Sequence, residues 1–268
     1  MTKILKNFLC IFALTFFMQT GIASASSTGS EDLKKTNSQD TVSECFEGAS
    51  RAIFKFNHAL DGAIFEPVAK GYRTLPVGLR KGTSNVIDNL RSLLTLSNNV
   101  LQGDFGKAGH TVGRFVANST VGILGIWDPA SALGLKDYGE EDFGQTLGSW
   151  GTGTGCYFVL PILGPTTARD AVGLIGNTFL DPVYHITHNS EVYNRSLSEH
   201  NYWYYRGTDA VDFRAKNIES FNSVEENSID LYATFKSLYL QDRSKKVTNS
   251  TSVTKTQDDS DWEEIDTN

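Results

Sequence analysis

Apolar positions recur at helical spacing over most of the chain. Phe46, Ala49, Ile53, Phe56 and Leu60 follow a 3,4,3,4 spacing that puts them on one face of a helix. Pro67 and then Gly71 are expected to interrupt that region. A second stripe, Val86, Leu90, Leu93, Leu94, Val100 and Leu101, runs to a stop at Gln102-Gly103. A third helix is predicted over Phe105 to Asn118, and Asp128 can cap a short helix with Pro129 at its first position. From about Glu191 to Gln241 the chain turns charged and helical, with Ile218, Phe221, Val224, Leu231, Phe235 and Leu238 on one stripe and a solvated face opposite. No alternation long enough for a useful strand is present, so the fold is expected to be mainly α.

One stretch breaks the pattern. Phe143 to Ala168, FGQTLGSWGTGTGCYFVLPILGPTTA, contains no Asp, Glu, Lys or Arg in a chain that is 21% charged. Gly148, Gly151, Gly153, Gly155 and Gly164 weaken helix there, and Pro161 and Pro165 interrupt it, so it cannot cross a bilayer as an ordinary helix. An uncharged, broken backbone belongs either in a large soluble core or at membrane depth where it lines a cavity. Sixteen of the 24 glycines lie between Gly103 and Gly176. That density lets backbones approach closely, as where helices pack in membranes.

The N-terminus carries Lys3 and Lys6, an apolar run from Phe8 to Met18, and Ala23-Ser24-Ala25 as a cleavage site. Residues 1–25 therefore read as a secretory signal peptide. Residues 26–43 read as a disordered linker, 44–246 as one helical domain, and 247–268 as a disordered acidic tail that contributes to the net charge of −7. Cys10 leaves with the signal, and no lipobox surrounds it, so no lipidation is expected. Cys45 and Cys156 remain in a compartment that permits disulfides. Two cysteines so far apart make no disulfide framework: they read first as two buried thiols, with a single disulfide as the alternative if the fold brings them within bonding distance. No basic patch interleaves with aromatics, which argues against nucleic-acid binding.

Enzyme motifs are absent: no G-x-S-x-G elbow, no P-loop and no H-E-x-x-H. His185 and His188, near Asp181 and Glu191, suggest at most a partial metal set and are read as ordinary histidines, so no metal or cofactor is expected. Arg169 and Asp170 are the isolated charges of the middle section. They read either as a helix-terminal Asp beside a solvated Arg or as polar groups lining a cavity. Phe54, Phe56 and Phe65 read as core in preference to a lipid-facing set.

Several segments together are similar to the MlaA (VacJ) family. They are FEGASRAIFKFNHALD (46–61), EPVAKGYRTLP (66–76), LQGDF (101–105), RFVANSTVGILGIWDPA (114–130), DFGQTLGSWGTGTGCYFVLPILGPTTARDAVG (142–173) and DPVYH (181–185). A weaker echo is SIDLYATFKSLYLQDR (228–243). The resemblance implies a single ring-shaped, multi-helix domain embedded in or on one leaflet of the outer membrane, with no enzyme activity. It implies retrograde transport of misplaced phospholipid through an amphipathic channel to a soluble periplasmic carrier, with trimeric porins as partners. It departs from the family at Cys156, where proline is common, and in the missing lipobox. Phe56 and Asn57 match the family's early motif, beside which gating is suspected. Gly151, Gly153, Gly155, Tyr157, Leu160, Pro161, Arg169 and Asp170 are the expected wall or rim. Without a lipidated cysteine, burial of amphipathic helices would anchor the domain on the periplasmic side. A soluble periplasmic lipid-binding or interaction protein without a channel is the alternative reading.

Overall fold

A computed structural model describes residues 42–188 and 199–248. The expected signal peptide, most of the linker, Glu191 and the tail beyond Thr248 lie outside those residues. The described chain is mainly helical. Helix α1 (Glu47–Leu60) passes through a π-helical turn (Asp61–Phe65) into α2 (Glu66–Arg73). After a short link come α3 (Val77–Leu101), α4 (Phe105–Thr120), α5 (Pro129–Ala132) and α6 (Phe143–Ser149). A hairpin of β1 (Tyr157–Leu160) and β2 (Gly164–Thr167) follows, then α7 (Ala168–Leu180), α8 (Pro182–His188), α9 (Glu199–Lys216), α10 (Ile218–Asn227) and α11 (Leu231–Val247).

Pro67 does not interrupt the first helix as the sequence suggests. Proline has no N–H, and its ring crowds the carbonyl four residues back. The wide turn absorbs both, with Glu66 N–H reaching Asp61 O, five residues earlier, while the backbone stays helical on either side. The predicted absence of strands is also corrected. Within the uncharged stretch, β1 and β2 pair antiparallel with Tyr157 opposite Thr167 and Leu160 opposite Gly164. Apolar and polar positions do not alternate cleanly there, because the buried hairpin faces include threonines as well as Tyr157 and Val159. The C-terminal stripe is not one helix either: it breaks at Ser228–Asp230, where Asp230 caps α11 by accepting from Ala233 N–H at 3.1 Å. Asp104, Asp128, Asp142 and Thr167 cap α4, α5, α6 and α7 in the same way.

The burial pattern is inverted. On α3, the buried side chains include Arg80, Ser84, Asn89, Thr95, Asn98 and Asn99, while Val100 and Leu101 of its apolar stripe are exposed. On α1, Ser50 is buried and Phe46 and Phe56 face outward. Phe56 is thus no core residue, whereas Phe54 packs with Tyr232 and Phe235. Apolar cores are small: Ala69, Ala215 and Ile218 in one, Tyr157, Val159 and Tyr232 in another. Buried polar groups must be hydrogen-bonded to be tolerated. Fully buried Asn98 accepts from Thr146 Oγ1 at 2.8 Å and donates to Leu94 O at 3.0 Å. Gln102 donates to Glu141 and Thr146.

Glycine permits the closest approach. A Cβ on Gly173 of α7 would lie 2.5 Å from Gly144 N of α6, so the two helices meet backbone to backbone. Cys45 and Cys156 are not free thiols. They form a disulfide with Cα atoms 5.3 Å apart, closing a loop with a sequence separation of 111. A loop of that size stabilises by about 4–5 kcal/mol in the chain-entropy account. Separation along the chain says nothing about proximity in space, which the Ser43–Cys45 segment supplies by pairing alongside Tyr157. The described residues begin at Val42, and α11 runs through Val247.

Candidate functional site

A polar cavity of about 230 Å³ opens between α3, α4 and the segment that links α4 to α6. Helix α3 contributes Lys81, Ser84, Asn85, Asp88, Ser92 and Thr95, spaced by three and four so that one face is presented. Helix α4 contributes Thr111, Arg114, Phe115 and Asn118. The remaining wall is Asp128 and Lys136 to Glu140, with Lys216 entering from α9.

Hydrogen bonds hold these walls. Arg114 donates to Asp128 Oδ2 at 3.0 Å and to Leu135 O at 2.8 Å, tying α4 to the loop. Burial pushes the Asp128 carboxyl up, but hydrogen bonds from Ser131 and Asn118 and the Arg114 charge outweigh it and hold the carboxyl low. Asn118 accepts from Ala130 N–H at 3.0 Å. Asn85 donates to Ile126 O, and Asn89 donates to Ser119. Gly125, at φ +94°, sits where a Cβ would be 2.8 Å from Asn89 Cβ, so the loop closes tightly over α3. Lys216 pairs with Asp212 at 2.8 Å and also donates to Ser84. Arg91 bridges Glu140 at 2.7 Å and Asp209. Lys136 lies 5.0 Å above the Tyr138 ring. The cavity offers both charge signs and many neutral hydrogen-bonding groups, which suits a polar or ionic ligand.

The loop that closes this wall turns its apolar side chains away. Val121, Ile123, Leu124, Ile126 and Trp127 are all exposed, and Ile123 and Leu124 have positive φ. Val172, Ile175 and Phe179 form an exposed stripe on α7. Ile162 and Leu163, at the hairpin tip, are 64% and 67% exposed.

The residues expected from the sequence to form a channel wall or rim do not line this cavity. Gly151 and Gly153 belong to an exposed strap between α6 and β1, where a Cβ would meet nothing within 4 Å. Gly155 rests against Ala168, Tyr157 is fully buried in the core, Leu160 is half-buried and Pro161 is exposed at the hairpin turn. Arg169 is not solvated, and neither it nor Asp170 borders the cavity. Asp170 accepts from Arg169 Nε at 3.0 Å, Tyr239 OH at 2.7 Å and Arg243 Nη2 at 2.9 Å. Arg243 also donates to Asp142, so the group clamps α11 across the N-termini of α6 and α7. Burial lowers the Arg243 pKa, but the two carboxylates override that and raise it. Burial raises Asp142, and Arg243 more than reverses this, leaving it at about 2. Phe56 faces outward, while Asn57 grips the hairpin tip: it donates to Leu160 O at 2.8 Å and accepts from Ile162 N–H at 2.7 Å. His185 contacts Phe179 O, and His188 stacks on Tyr184 at 3.9 Å.

The cavity-lining face of α3 is the one opposite its apolar stripe. The signal was present: Lys81, Ser84, Asn85, Asp88, Ser92 and Thr95 repeat with the same period on the other side.

The profile of the MlaA lipoprotein family matches residues 42–246. An uncharacterized protein of Rickettsia bellii is 34% identical over 227 residues, 81% of this chain and 84% of its own length. The intermembrane phospholipid transport system lipoprotein MlaA of Haemophilus influenzae is 30% identical, covering 82% of this chain and 85% of the relative. Its namesake in Escherichia coli K12 is 31% identical, over 76% and 78%. A solved structure concerned with the structural basis for maintenance of bacterial outer membrane lipid asymmetry superposes with a TM-score of 0.65 at 28% identity, covering 76% of this chain and 99% of that one.

Proposed function

The chain belongs to the MlaA lipoprotein family, and from that premise we propose that it is an outer-membrane component of intermembrane phospholipid transport, taking misplaced phospholipid from the outer leaflet. The observation that carries this reading is the inversion of the fold: apolar side chains outward, a charged and hydrogen-bonding cavity within. Exposed apolar surface on this scale marks a membrane or a large partner. No helix among the described residues is long and apolar enough to cross a bilayer. The outward faces of α1, α4 and α7 and the hairpin tip instead seat the protein in one leaflet. Trp127, Trp150 and Trp203 are all exposed, as suits aromatic side chains at a membrane interface.

In this reading the polar cavity accepts the headgroup while the acyl chains stay against apolar surface. The chain supplies a passive path, and direction comes from differential binding downstream, by a soluble periplasmic carrier. A trimeric porin is the proposed neighbour in the membrane. Arrival in that compartment agrees with the signal peptide and with a disulfide, which persists outside the reducing cytosol. The exposed apolar stripes argue against a freely soluble binding protein.

Deletion of the gene, followed by labelling of surface phospholipid, tests the proposal. The expected result is more phospholipid in the outer leaflet, restored by the intact gene, with the protein retained in outer membranes after a high-salt wash. An unchanged outer leaflet would overturn it.

A further inference from the structure

The hairpin is fastened to α1 at three levels. At its base stands the Cys45–Cys156 disulfide, flanked by Cys45 N–H donating to Tyr157 O at 3.1 Å and Tyr157 N–H donating to Ser43 O at 2.8 Å. In its middle, Val159 N–H reaches Ser50 Oγ at 3.3 Å. At its tip, Asn57 makes the paired bonds to Leu160 and Ile162. The base has the weakest covalent surroundings. Before Cys156 lies the exposed strap of Gly151, Gly153 and Gly155, two of them at positive φ. Before Cys45, Ser43 and Glu44 pair alongside Tyr157. The disulfide is therefore the one covalent tie between the two elements at that point.

We infer that the Cys45–Cys156 disulfide is a redox latch that fixes the apolar hairpin tip on α1. Oxidised, it holds the segment before α1 against β1, which keeps Ser50 and Asn57 in register with the strand. Reduced, the hairpin keeps its backbone pairing to Ser43 and Cys45, its bonds to Ser50 and Asn57 and the packing of Tyr157 and Val159 on Tyr232, but it loses its covalent tie, and the Ile162–Leu163 tip gains freedom at the surface. Both cysteines are half-buried, so a small thiol reaches them. The step is a thiol–disulfide exchange: two thiols of a dithiol reductant become its disulfide, the Cys45–Cys156 S–S bond breaks, and the two cysteines each gain a proton.

The test is amide hydrogen exchange on the full mature chain in detergent micelles, before and after treatment with a dithiol, with Cys45→Ser/Cys156→Ser as the permanent open form. We expect the Tyr157, Val159 and Ile162 amides to exchange at least tenfold faster on reduction, while those of α3 and α4 change by clearly less. Asn57→Ala should speed the Ile162 amide more in reduced than in oxidised protein, since each fastening covers for the other. If the double serine variant does not fold, reduction of folded wild-type protein provides the same state. Unchanged hairpin exchange overturns the latch. So does a uniform acceleration of all helices, which would make the disulfide a general staple. Equal effects of Asn57→Ala in both redox states would also refute it. None of these readouts depends on lipid transport.

Discussion

Arg243 sits between Asp142 and Asp170, and its environment decides how this chain responds to acid and to mutation. Breaking a buried pair by removing one member leaves an uncompensated charge and costs about 3–5 kcal/mol. Arg243→Met should lower stability by about that amount, read from the denaturant midpoint, and should release α11 first. The pH dependence follows from Asp142. Its carboxyl titrates at about 2 in the folded protein, against roughly 3.9 in an unfolded chain. Between those values the unfolded state binds more protons, so the stabilisation is full above about pH 4 and fades as pH falls through about 2. Asp170 is lowered too and acts in the same direction. A denaturation series from pH 6 to pH 2 should show the loss, and Asp142→Asn, which keeps a capping side chain, should flatten it. Arg169 and Asp170 stood out in the sequence as isolated charges. The partner of Asp170, Arg243 on α11 and 73 residues away, did not, because an ion pair between distant helices leaves no local spacing.

At the level of elements, α3 holds the main lesson. Its period was legible, and so were its two faces, but periodicity alone does not say which face is inside. In water the apolar face turns inward; where the surroundings are hydrocarbon, the preference is removed and the polar face finds its partners within. Replacing Asn85 and Ser92 by Leu should fill the cavity while sparing the outward face. The expected outcome is protein still found in outer membranes, with surface phospholipid raised toward the level of the deletion strain. Helices α6 and α7 provide a second test. Gly173→Leu cannot be placed against Gly144 without separating the helices. It should destabilise by about 3 kcal/mol or more, measured by thermal unfolding in micelles. The glycine density of this region announced close backbone approach, but not which pairs meet. The π turn before Pro67 was not readable, since a proline signal looks the same whether a helix ends or widens around it.

For the whole molecule, the outward stripe Val172, Ile175 and Phe179 and the polar cavity make one statement about solvent. Converting those three residues to Asp should move the protein from the membrane fraction toward the soluble one, because carboxylates at the apolar boundary are costly. Fractionation before and after a salt wash measures it, and undisturbed retention would assign the anchoring to another face. The sequence by itself settled the helical class, the stop at Gln102-Gly103, the helix from Phe105, the Asp128 cap and the family, since capping residues, period and motif strings are local properties of the chain. It also marked the uncharged stretch from Phe143 to Ala168 as unusual. Only the tertiary structure decided that this stretch folds as α6, a strap and a hairpin held by α1, that Cys45 meets Cys156, and that the cavity is built from α3, α4 and the segment between α4 and α6. Those outcomes depend on which distant faces come together, and burial of polar groups is set by partners across the fold rather than by neighbours in sequence.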